Sequence, residues 1–308
     1  MKDKISVIIP TLNAEKYIDK LIKVLQSQTI VPDEIIVIDS QSDDATISIC
    51  KKFNGVKTIS ILRKDFDHGG TRNIAFKSSI GDYVLYITQD AVPIDNNYIE
   101  SLIEPFKDKD VAMVSGRQVA REDATLSEKL TRNFNYSDKS FVRDKSDIPT
   151  LGIKTFFASD VCSAYRRTTF EKLGYFKEPI LINEDMDMAT KCIFAGYKIA
   201  YCAEAKVYHS HTYTFKQQYV RNFDVGAFMA MNSETFKGVS ATSEGIKMVK
   251  IVLSQMIKGG HIASAIKYIF ESSVKYIGHR RGINFKKLSK EQILKSTMNK
   301  SYWTNYYF

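Results

Sequence analysis

The chain has 308 residues, of which 44% are hydrophobic and 26% charged, a composition typical of a folded domain rather than a disordered segment. Its four cysteines include no CxxC pair, so the sequence predicts neither a disulfide framework nor a zinc site. The formal net charge of +9 originates in the last part of the chain, where residues 244–308 carry ten lysines and two arginines against three glutamates.

The sequence carries no signal for export or for a membrane span. The apolar run near its start, Ile5–Ile9, ends at Pro10 and is too short for a signal peptide. No apolar stretch reaches the roughly 18 residues that a transmembrane helix requires. We therefore expect a cytoplasmic protein.

The first 62 residues alternate between β-branched runs and amphipathic segments. They predict strands at 4–9, 34–38 and 58–62, separated by a helix at 14–28 and a second helix that ends near residue 53. Strands that alternate with helices form parallel sheets with right-handed crossovers. The predicted fold class is therefore α/β, with a mostly parallel, twisted sheet flanked by helices.

The alternation continues less regularly as far as residue 208. The predicted elements of this part are strands 81–88, 111–119 and 198–208 and helices 98–107 and 183–196. Asn183 is the predicted N-cap of the last helix. The polar, weakly patterned residues 120–155 indicate an active-site loop with a helix inside it.

The basic segment predicts two amphipathic helices between Ile246 and Ile277, with a break at Gly259-Gly260. Such helices can lie in an anionic membrane interface, with Trp303 and its aromatic neighbours at headgroup depth. Alternatively, they pack on the preceding domain and expose a basic face. Nucleic-acid binding is a third function of basic segments, but no recognition motif supports it here.

Three polar residues follow the first two strands, at the sheet edge where parallel sheets bind ligands. Thr11 and Asn13 follow the first strand, and Asp39 ends the second. Asp39 can accept hydrogen bonds from the base or ribose of a nucleotide. The alternative is that Asp39 only caps the loop that follows it.

Six segments, in this order, resemble glycosyltransferase family 2: SVIIPTLNAEKYI, IVIDSQSDDAT, HGGTRNIAF, YITQDAVP, NEDMDMATKCIFAGYKI and VYHSHTYT. HGGTRN with TQDA, followed by HSHTYTFKQQYVRNFDVGAF, is most similar to bacterial rhamnosyltransferases of surface-polysaccharide synthesis. The resemblance implies a GT-A-type catalytic domain at residues 1–235, followed by a helical, basic region at residues 236–308.

The implied reaction is inverting transfer of L-rhamnose from dTDP-L-rhamnose to a saccharide acceptor. We expect that acceptor to be lipid-linked and the enzyme to be peripheral on the inner face of the cell membrane. Two alternatives stay open, namely a family 2 transferase that uses a UDP-hexose and a catalytically degenerate, membrane-bound saccharide-binding protein. Paired acids also mark glycosidases, but a hydrolase has no use for a diphosphate crevice.

Further donor-binding residues lie in the segment DFDHGGTRN, residues 65–73. Its adjacent glycines, of which Gly70 is the second, let the backbone approach a ligand closely. Arg72 suits a diphosphate oxygen through charge and bidentate hydrogen bonds. By resemblance, Asp65 faces the nucleoside, and His68 is only a weak candidate.

A diphosphate leaving group carries charge that a divalent cation can neutralise. Family 2 usually supplies an Asp-x-Asp or Asp-Asp pattern, whereas Thr88-Gln89-Asp90 keeps only the last acid. We assign Gln89 and Asp90 to the nucleotide sugar, and Asp90 with His209 or His211 to Mg²⁺ or Mn²⁺. Without the resemblance, the sequence would support a turn residue at Asp90 as well as it supports a metal ligand.

The last candidate site is Glu184-Asp185, with Asp187 close behind. Direct displacement at an anomeric carbon needs a carboxylate that takes the proton of the attacking hydroxyl. By resemblance to the Glu-Asp motif of inverting members, Asp185 is the base and Glu184 shapes the acceptor site. The alternative is that these acids only stabilise a helix N-terminus through its dipole.

Overall fold

The computed structural model describes residues 3–237 and 242–308. Within these ranges the strands are β1 (Ile5–Thr11), β2 (Glu34–Asp39), β3 (Val56–Ser60), β4 (Tyr83–Ile87), β5 (Val92–Pro93), β6 (Val111–Val119), β7 (Phe141–Arg143), β8 (Cys162–Arg166) and β9 (Lys198–Tyr208). All of them belong to one sheet.

The α-helices of the same ranges surround this sheet. They are α1 (Ile18–Gln26), α2 (Thr46–Cys50), α3 (His68–Lys77), α4 (Tyr98–Ile103), α5 (Leu126–Asn135), α6 (Ile148–Leu151), α7 (Arg167–Lys172), α8 (Glu184–Phe194), α9 (Phe215–Met231), α10 (Thr242–Lys258), α11 (Ile262–Ile283), α12 (Lys290–Ser296) and α13 (Lys300–Tyr302). The fold is α/β, as the alternation of elements predicts.

The predicted elements are present, with small shifts of their ends. β6 and β9 have the predicted bounds, and the two predicted basic helices are α10 and α11. The helix predicted for residues 98–107 ends at Ile103 and continues as a 3₁₀ turn, because Pro105 has no N–H to donate. The sequence did not predict the short strands β5 and β7, the strand β8, or helix α9.

The strand order is β3-β2-β1-β4-β8-β6-β9-β5, and β7 also pairs with β9. The first four strands in this order are parallel to one another, with Thr11 paired to Asp39 at the shared carboxyl edge of β1 and β2. β8 is antiparallel to both of its neighbours, β4 and β6. Because β8 runs in the opposite direction, the residues before it reach the edge at which the parallel strands end.

Both faces of the central strands are covered, which explains their unbroken apolar runs. Successive side chains of a strand point to opposite faces. In β1, Ile8 packs into the cluster beneath α3 and α8, whereas Val7 and Ile9 pack into the cluster beneath α1 and α4. The sheet is therefore held rigidly between two helical layers, and its carboxyl edge is a fixed platform.

Helices α9 and α11 approach each other closely because glycines occupy their contact. A Cβ atom added to Gly226 of α9 would lie 2.2 Å from the carbonyl oxygen of His279. On α11, Cβ atoms at Gly278 and Gly282 would lie 2.4 Å and 2.0 Å from carbonyl oxygens of α9. These glycines seat the basic α11 against the helix that follows the two candidate histidines.

The end of the chain packs into the catalytic core. Trp303 is fully buried and joins the same cluster as Phe223, and Asp224 accepts hydrogen bonds from Thr297 Oγ1 (2.6 Å) and Met298 N (2.8 Å). The expectation that Trp303 inserts into membrane headgroups is therefore wrong, because its ring fills the core. None of the described helices combines the length and the apolar character needed to cross a membrane.

Candidate active site

A cavity of about 610 Å³ opens at the carboxyl edge of the sheet. Of the residues predicted to bind the donor, those that line it are Thr11, Arg72, Gln89 and Asp90. Of the residues predicted for metal binding and catalysis, His209, His211, Glu184 and Asp185 line it as well. Thr11 and His211, which are 200 positions apart in the chain, thus share one chamber.

The remaining predicted donor residues lie beside or beneath this cavity. Asp39 is buried and accepts hydrogen bonds from Thr11 Oγ1 (2.9 Å) and Ser42 N (2.8 Å). Asn13 adopts a left-handed conformation (φ 54°), and its side chain accepts a hydrogen bond from Asp43 N (2.9 Å). These contacts join the loops after β1 and β2, and nucleotide contact by either residue stays a prediction.

Asp65 and Gly70 are also not among the cavity-lining residues. Asp65 is exposed, and the backbone N–H of Gly70 donates to the capping side chain of Asp67 at 2.7 Å. A Cβ atom at the preceding Gly69 would lie 2.1 Å from the carbonyl oxygen of Lys177. Gly69 therefore admits the protein's own backbone, which gives it a packing role that the sequence did not reveal.

Asp90, His209 and His211 form a cluster in which the candidate ligand atoms lie within 4.8 Å of one another. Asp90 Oδ2 is 3.5 Å from His209 Nε2 and 3.6 Å from His211 Nε2. Burial lowers the pKa of both imidazoles, that of His211 to about 4, so both rings are neutral near pH 7. Burial alone would raise the pKa of Asp90, but the neighbouring imidazoles of His209 and His211 lower it.

The donor set of this cluster fits a divalent cation. His209 Nδ1 is 2.9 Å from Gln118 Oε1, which also accepts a hydrogen bond from Arg132. Nδ1 therefore carries the proton, and Nε2 presents its lone pair towards Asp90, an arrangement common for metal-binding histidines. An ionised carboxylate and two neutral imidazoles thus supply three ligands that face one point.

Arg72 lies between two carboxylates rather than free in the cavity. Its Nη1 is 3.1 Å from Glu184 Oε1, and its Nε is 3.3 Å from Asp160 Oδ2. Burial alone would raise the pKa of Glu184, but the positive charge of Arg72 outweighs it and lowers that pKa. The Arg72 guanidinium, predicted to bind diphosphate, is thus held mainly by the protein's own acids.

Asp185 occupies the first turn of α8 and is partly accessible from the cavity. Its carboxylate accepts hydrogen bonds from the backbone N–H groups of Asp160 (3.1 Å) and Met186 (2.7 Å). Among the described residues, no basic side chain pairs with it, because Arg72 contacts Glu184 and Asp160 instead. Burial raises the pKa of Asp185 to about 8, and the nearby charges of Glu184 and Asp160 contribute to the increase.

Asn183 sets the direction in which α8 enters the site. It has the left-handed conformation (φ 63°), which asparagine tolerates better than most residues, and it makes no side-chain capping bond. The predicted N-cap position is thus correct, whereas a capping hydrogen bond is not formed. The turn at Asn183 brings both acids of the Glu184-Asp185 pair to the cavity wall.

Asp160 is a site residue that sequence reasoning missed. Its carboxylate accepts hydrogen bonds from Ser163 Oγ (2.7 Å) and Tyr165 OH (2.6 Å), and burial raises its pKa to about 6. It precedes β8, whereas the predicted ligand residues follow strands. The apolar run after it was the available signal, but only the antiparallel pairing of β8 with β4 brings the start of that strand to this edge.

Three further arginines line the cavity and were also missed: Arg63, Arg132 and Arg221. Arg63 follows β3, where its Nη2 is 2.7 Å from Asp43, and Arg132 lies on α5, inside the loop predicted to cover the site. Arg221 lies on α9, a helix that the sequence did not predict. Of the three, Arg63 and Arg132 pair with acids, whereas Arg221 has no ion-pair partner among the described residues.

Three candidate metal ligands and a carboxylate of raised pKa share one chamber of an α/β fold, an arrangement that suits an enzyme acting on a phosphate-bearing substrate. The chain matches the model of glycosyl transferase family 2 over residues 6–174. Together with close relatives over nearly its whole length, this match shows that the chain belongs to glycosyltransferase family 2.

The chain is 41% identical to the O-antigen chain rhamnosyltransferase RfbN of Salmonella typhimurium, over 98% of this chain and 96% of the relative. It is 40% identical to the O-antigen chain rhamnosyltransferase WbaN of Salmonella anatum, over 97% and 96% of the two chains. Solved structures share the fold at lower identity. The mannosyltransferase PcManGT of Pyrobaculum calidifontis, in complex with GDP-Man and Mn²⁺, superposes with a TM-score of 0.65 at 14% identity, over 93% of this chain and 88% of that one.

Proposed function

We propose that this protein is an inverting rhamnosyltransferase, which transfers L-rhamnose from dTDP-L-rhamnose to a lipid-linked saccharide during O-antigen-type polysaccharide synthesis. The names of its two full-length relatives support the sugar and the pathway. The observation that carries the proposal is that Asp90 and Asp185 line the same cavity. The donor's diphosphate and the acceptor's hydroxyl therefore meet in one chamber.

Donor binding divides between the two sides of the chamber. Arg221, which has no ion-pair partner among the described residues, supplies positive charge to the diphosphate, whereas carboxylates of the protein engage Arg63, Arg72 and Arg132. Asp90, His209 and His211 hold a divalent cation, which when bound neutralises charge on the departing diphosphate. Because imidazole nitrogens suit transition metals better than Mg²⁺, we favour Mn²⁺.

Asp185 is the general base of the transfer. Its carboxylate takes the proton of the acceptor hydroxyl as that oxygen bonds to the anomeric carbon, and the bond from this carbon to the diphosphate oxygen breaks. Attack on the face opposite the leaving group inverts the configuration. The raised pKa makes Asp185 a stronger base than a solvated aspartate.

The pH dependence follows from this raised pKa. Because the base must be deprotonated, we expect kcat/KM to rise with pH and to level off above about pH 8. Glu184→Gln removes a negative neighbour, which lowers the pKa of Asp185 and moves the rising limb to lower pH. Asp187→Asn, on the same helix but paired with Lys191 at 3.5 Å, is the matched control and leaves the limb in place. If kcat/KM of Glu184→Gln rose over the same pH range as that of the wild type, the charge of Glu184 would not affect the pKa of Asp185.

Donor identity is tested by thermal denaturation with a panel of nucleotide sugars and Mn²⁺. A ligand that binds only the native state stabilises it by mass action, so dTDP-L-rhamnose at about 100 times its Kd is expected to raise the Tm by about 5 °C or more. dTDP-glucose controls for the nucleotide, and UDP-glucose represents the alternative donor. A larger increase in Tm with UDP-glucose than with dTDP-L-rhamnose would identify a UDP-hexose as the donor instead.

Peripheral attachment to the inner membrane surface is proposed from the solvent face of α11. Ile262, Ile266 and Phe270 lie one helical turn apart and are each at least half exposed. Lysines of the same basic region flank this apolar row, a combination that suits an anionic bilayer surface.

We expect the protein to float with vesicles of phosphatidylethanolamine and phosphatidylglycerol, and an Ile266→Glu/Phe270→Glu double variant to float about tenfold less. Val31→Glu, at an exposed apolar residue in the N-terminal half, is the control. These substitutions are preferable to removal of residues 244–308, because that deletion would take Trp303 out of the core. Equal flotation of the double variant would refute attachment through α11.

A further inference from the structure

A second cavity, of about 320 Å³, adjoins the catalytic chamber and shares His211 and Tyr213 with it. Its walls come from α5, from the segment that leads into α9, and from α11. We call it the polar cleft. It is the route by which a long acceptor can extend from Asp185 towards the basic region.

A buried polar atom in the wall of the polar cleft has no hydrogen-bond partner among the described residues. It is Oε1 of Gln218, a residue with 8% exposure. A buried polar atom without a partner destabilises the folded protein. The cleft therefore offers a hydrogen bond that a polar ligand would complete.

The polar cleft is also lined by two lysines of α11. Lys267, Glu271 and Lys275 are spaced by four residues and share one helix face. Glu271 pairs with Lys267 at 3.8 Å, and Lys275 has no ion-pair partner among the described residues. Burial lowers the pKa of Lys275, which indicates that its ammonium group lacks full solvation. Glu271 and Glu128, which also line the cleft, offset this charge in part, and an anion at Lys275 would compensate it further.

A third cavity, of about 720 Å³, continues from the polar cleft between α10 and α11. It shares Tyr268 and Lys275 with the cleft, and its walls are mainly apolar, with Ile246, Leu253 and Ile277 among them. We call it the apolar groove. The three cavities thus follow one another in space, from the catalytic chamber through the polar cleft with its lysines to the apolar groove.

We propose that the polar cleft and the apolar groove form one extended acceptor site, in which Lys267 and Lys275 bind the phosphate linkage of a lipid-linked saccharide and the groove holds the first carbons of its lipid. This assignment rests on the proposed function, since it takes the acceptor's saccharide end to lie at Asp185. The order of the three cavities matches the order of sugar, phosphate and hydrocarbon in such a molecule. Charge complementarity at the lysines favours it over a neutral amphiphile.

The test measures binding of farnesyl diphosphate by calorimetry, with saturating dTDP and Mn²⁺ so that the donor chamber is filled. We expect farnesyl diphosphate to bind at least tenfold more tightly than either farnesol or inorganic pyrophosphate, since only it engages both cavities. Lys267→Gln/Lys275→Gln is expected to weaken its binding at least tenfold, and Ile277→Asn to weaken it as well. The Lys286→Gln/Lys287→Gln double variant, at two exposed lysines, is the charge-matched control.

Equal affinity of the lysine variant and the wild type would overturn the proposal, provided both have the same Tm. Equal affinity for farnesol and farnesyl diphosphate would also overturn it, because the groove would then be a general apolar surface. The proposed function is tested by a different measurement, the transfer of rhamnose. If no rhamnosyl transfer occurs but farnesyl diphosphate binds as described, the reaction is wrong and the anionic-lipid site stands.

Discussion

Asp185→Asn is expected to reduce turnover by about 10³-fold, within the usual range for loss of a general base. The asparagine keeps the shape of the side chain, and its single carbonyl oxygen can still accept one of the two hydrogen bonds that Asp160 N and Met186 N donate to Asp185. It cannot take a proton from the acceptor hydroxyl. Single-turnover transfer, measured beside nucleotide affinity, is the appropriate assay, because the affinity should stay within about twofold of the wild type.

Asp187→Asn controls for the loss of a negative charge near the start of α8. Asp187 lies two residues further on, and its partner is Lys191 of the same helix. We expect this variant to keep most of its activity. If Asp185→Asn were nearly as active as the control, the base would have to be sought elsewhere in the chamber, with Asp160 the first candidate because it touches the same wall.

Asp90→Ala is expected to remove the dependence of nucleotide binding on metal. Asp90 is the anionic member of the cluster, so its loss leaves two neutral imidazoles to hold the cation. We expect dTDP affinity in Mn²⁺ to fall about 100-fold and the wild type stripped with a chelator to behave like the variant. The measurement is a titration of dTDP with and without Mn²⁺.

Asp95→Asn is the control for Asp90→Ala, since Asp95 pairs with Lys206 outside the metal cluster. A wild type whose dTDP affinity does not respond to Mn²⁺, and which shows no transfer, would favour the degenerate saccharide-binding protein. Persistent metal dependence in Asp90→Ala would show that the cation binds at other residues.

Much of the fold could be predicted because its signals are local. The run Glu34–Asp39 is apolar on both faces because the strand is covered on both sides, and Pro10 comes at the end of β1. Parallel strands joined by helices place their carboxyl ends on one edge, so Thr11 and Asp90 could be assigned to one edge without coordinates, whereas Asp185 was assigned to the site by the resemblance to family 2. The unequal distribution of charge likewise showed that the segment containing α10 and α11 is basic, unlike the rest of the chain.

The partner of each side chain was not predictable in the same way. Arg72 follows a glycine pair in a segment that suggested phosphate binding, yet in the folded protein it lies within 3.3 Å of Asp160 and Glu184. Asp160 could be assigned to the site only once it was known that β8 is antiparallel to β4. Strand direction depends on which edges pair in the complete sheet, and no stretch of a few residues encodes it.

The sequence by itself therefore determined the α/β alternation, the site edge, the acids at that edge and the basic end of the chain, because periodicity and strand ends are properties of neighbouring residues. Only the tertiary structure decided that Arg72 pairs with Glu184 while no basic side chain among the described residues pairs with Asp185. It also decided that α11 forms part of the wall of the polar cleft. Both depend on burial and charge among groups far apart in the chain, where a few ångströms decide which carboxylate an arginine neutralises.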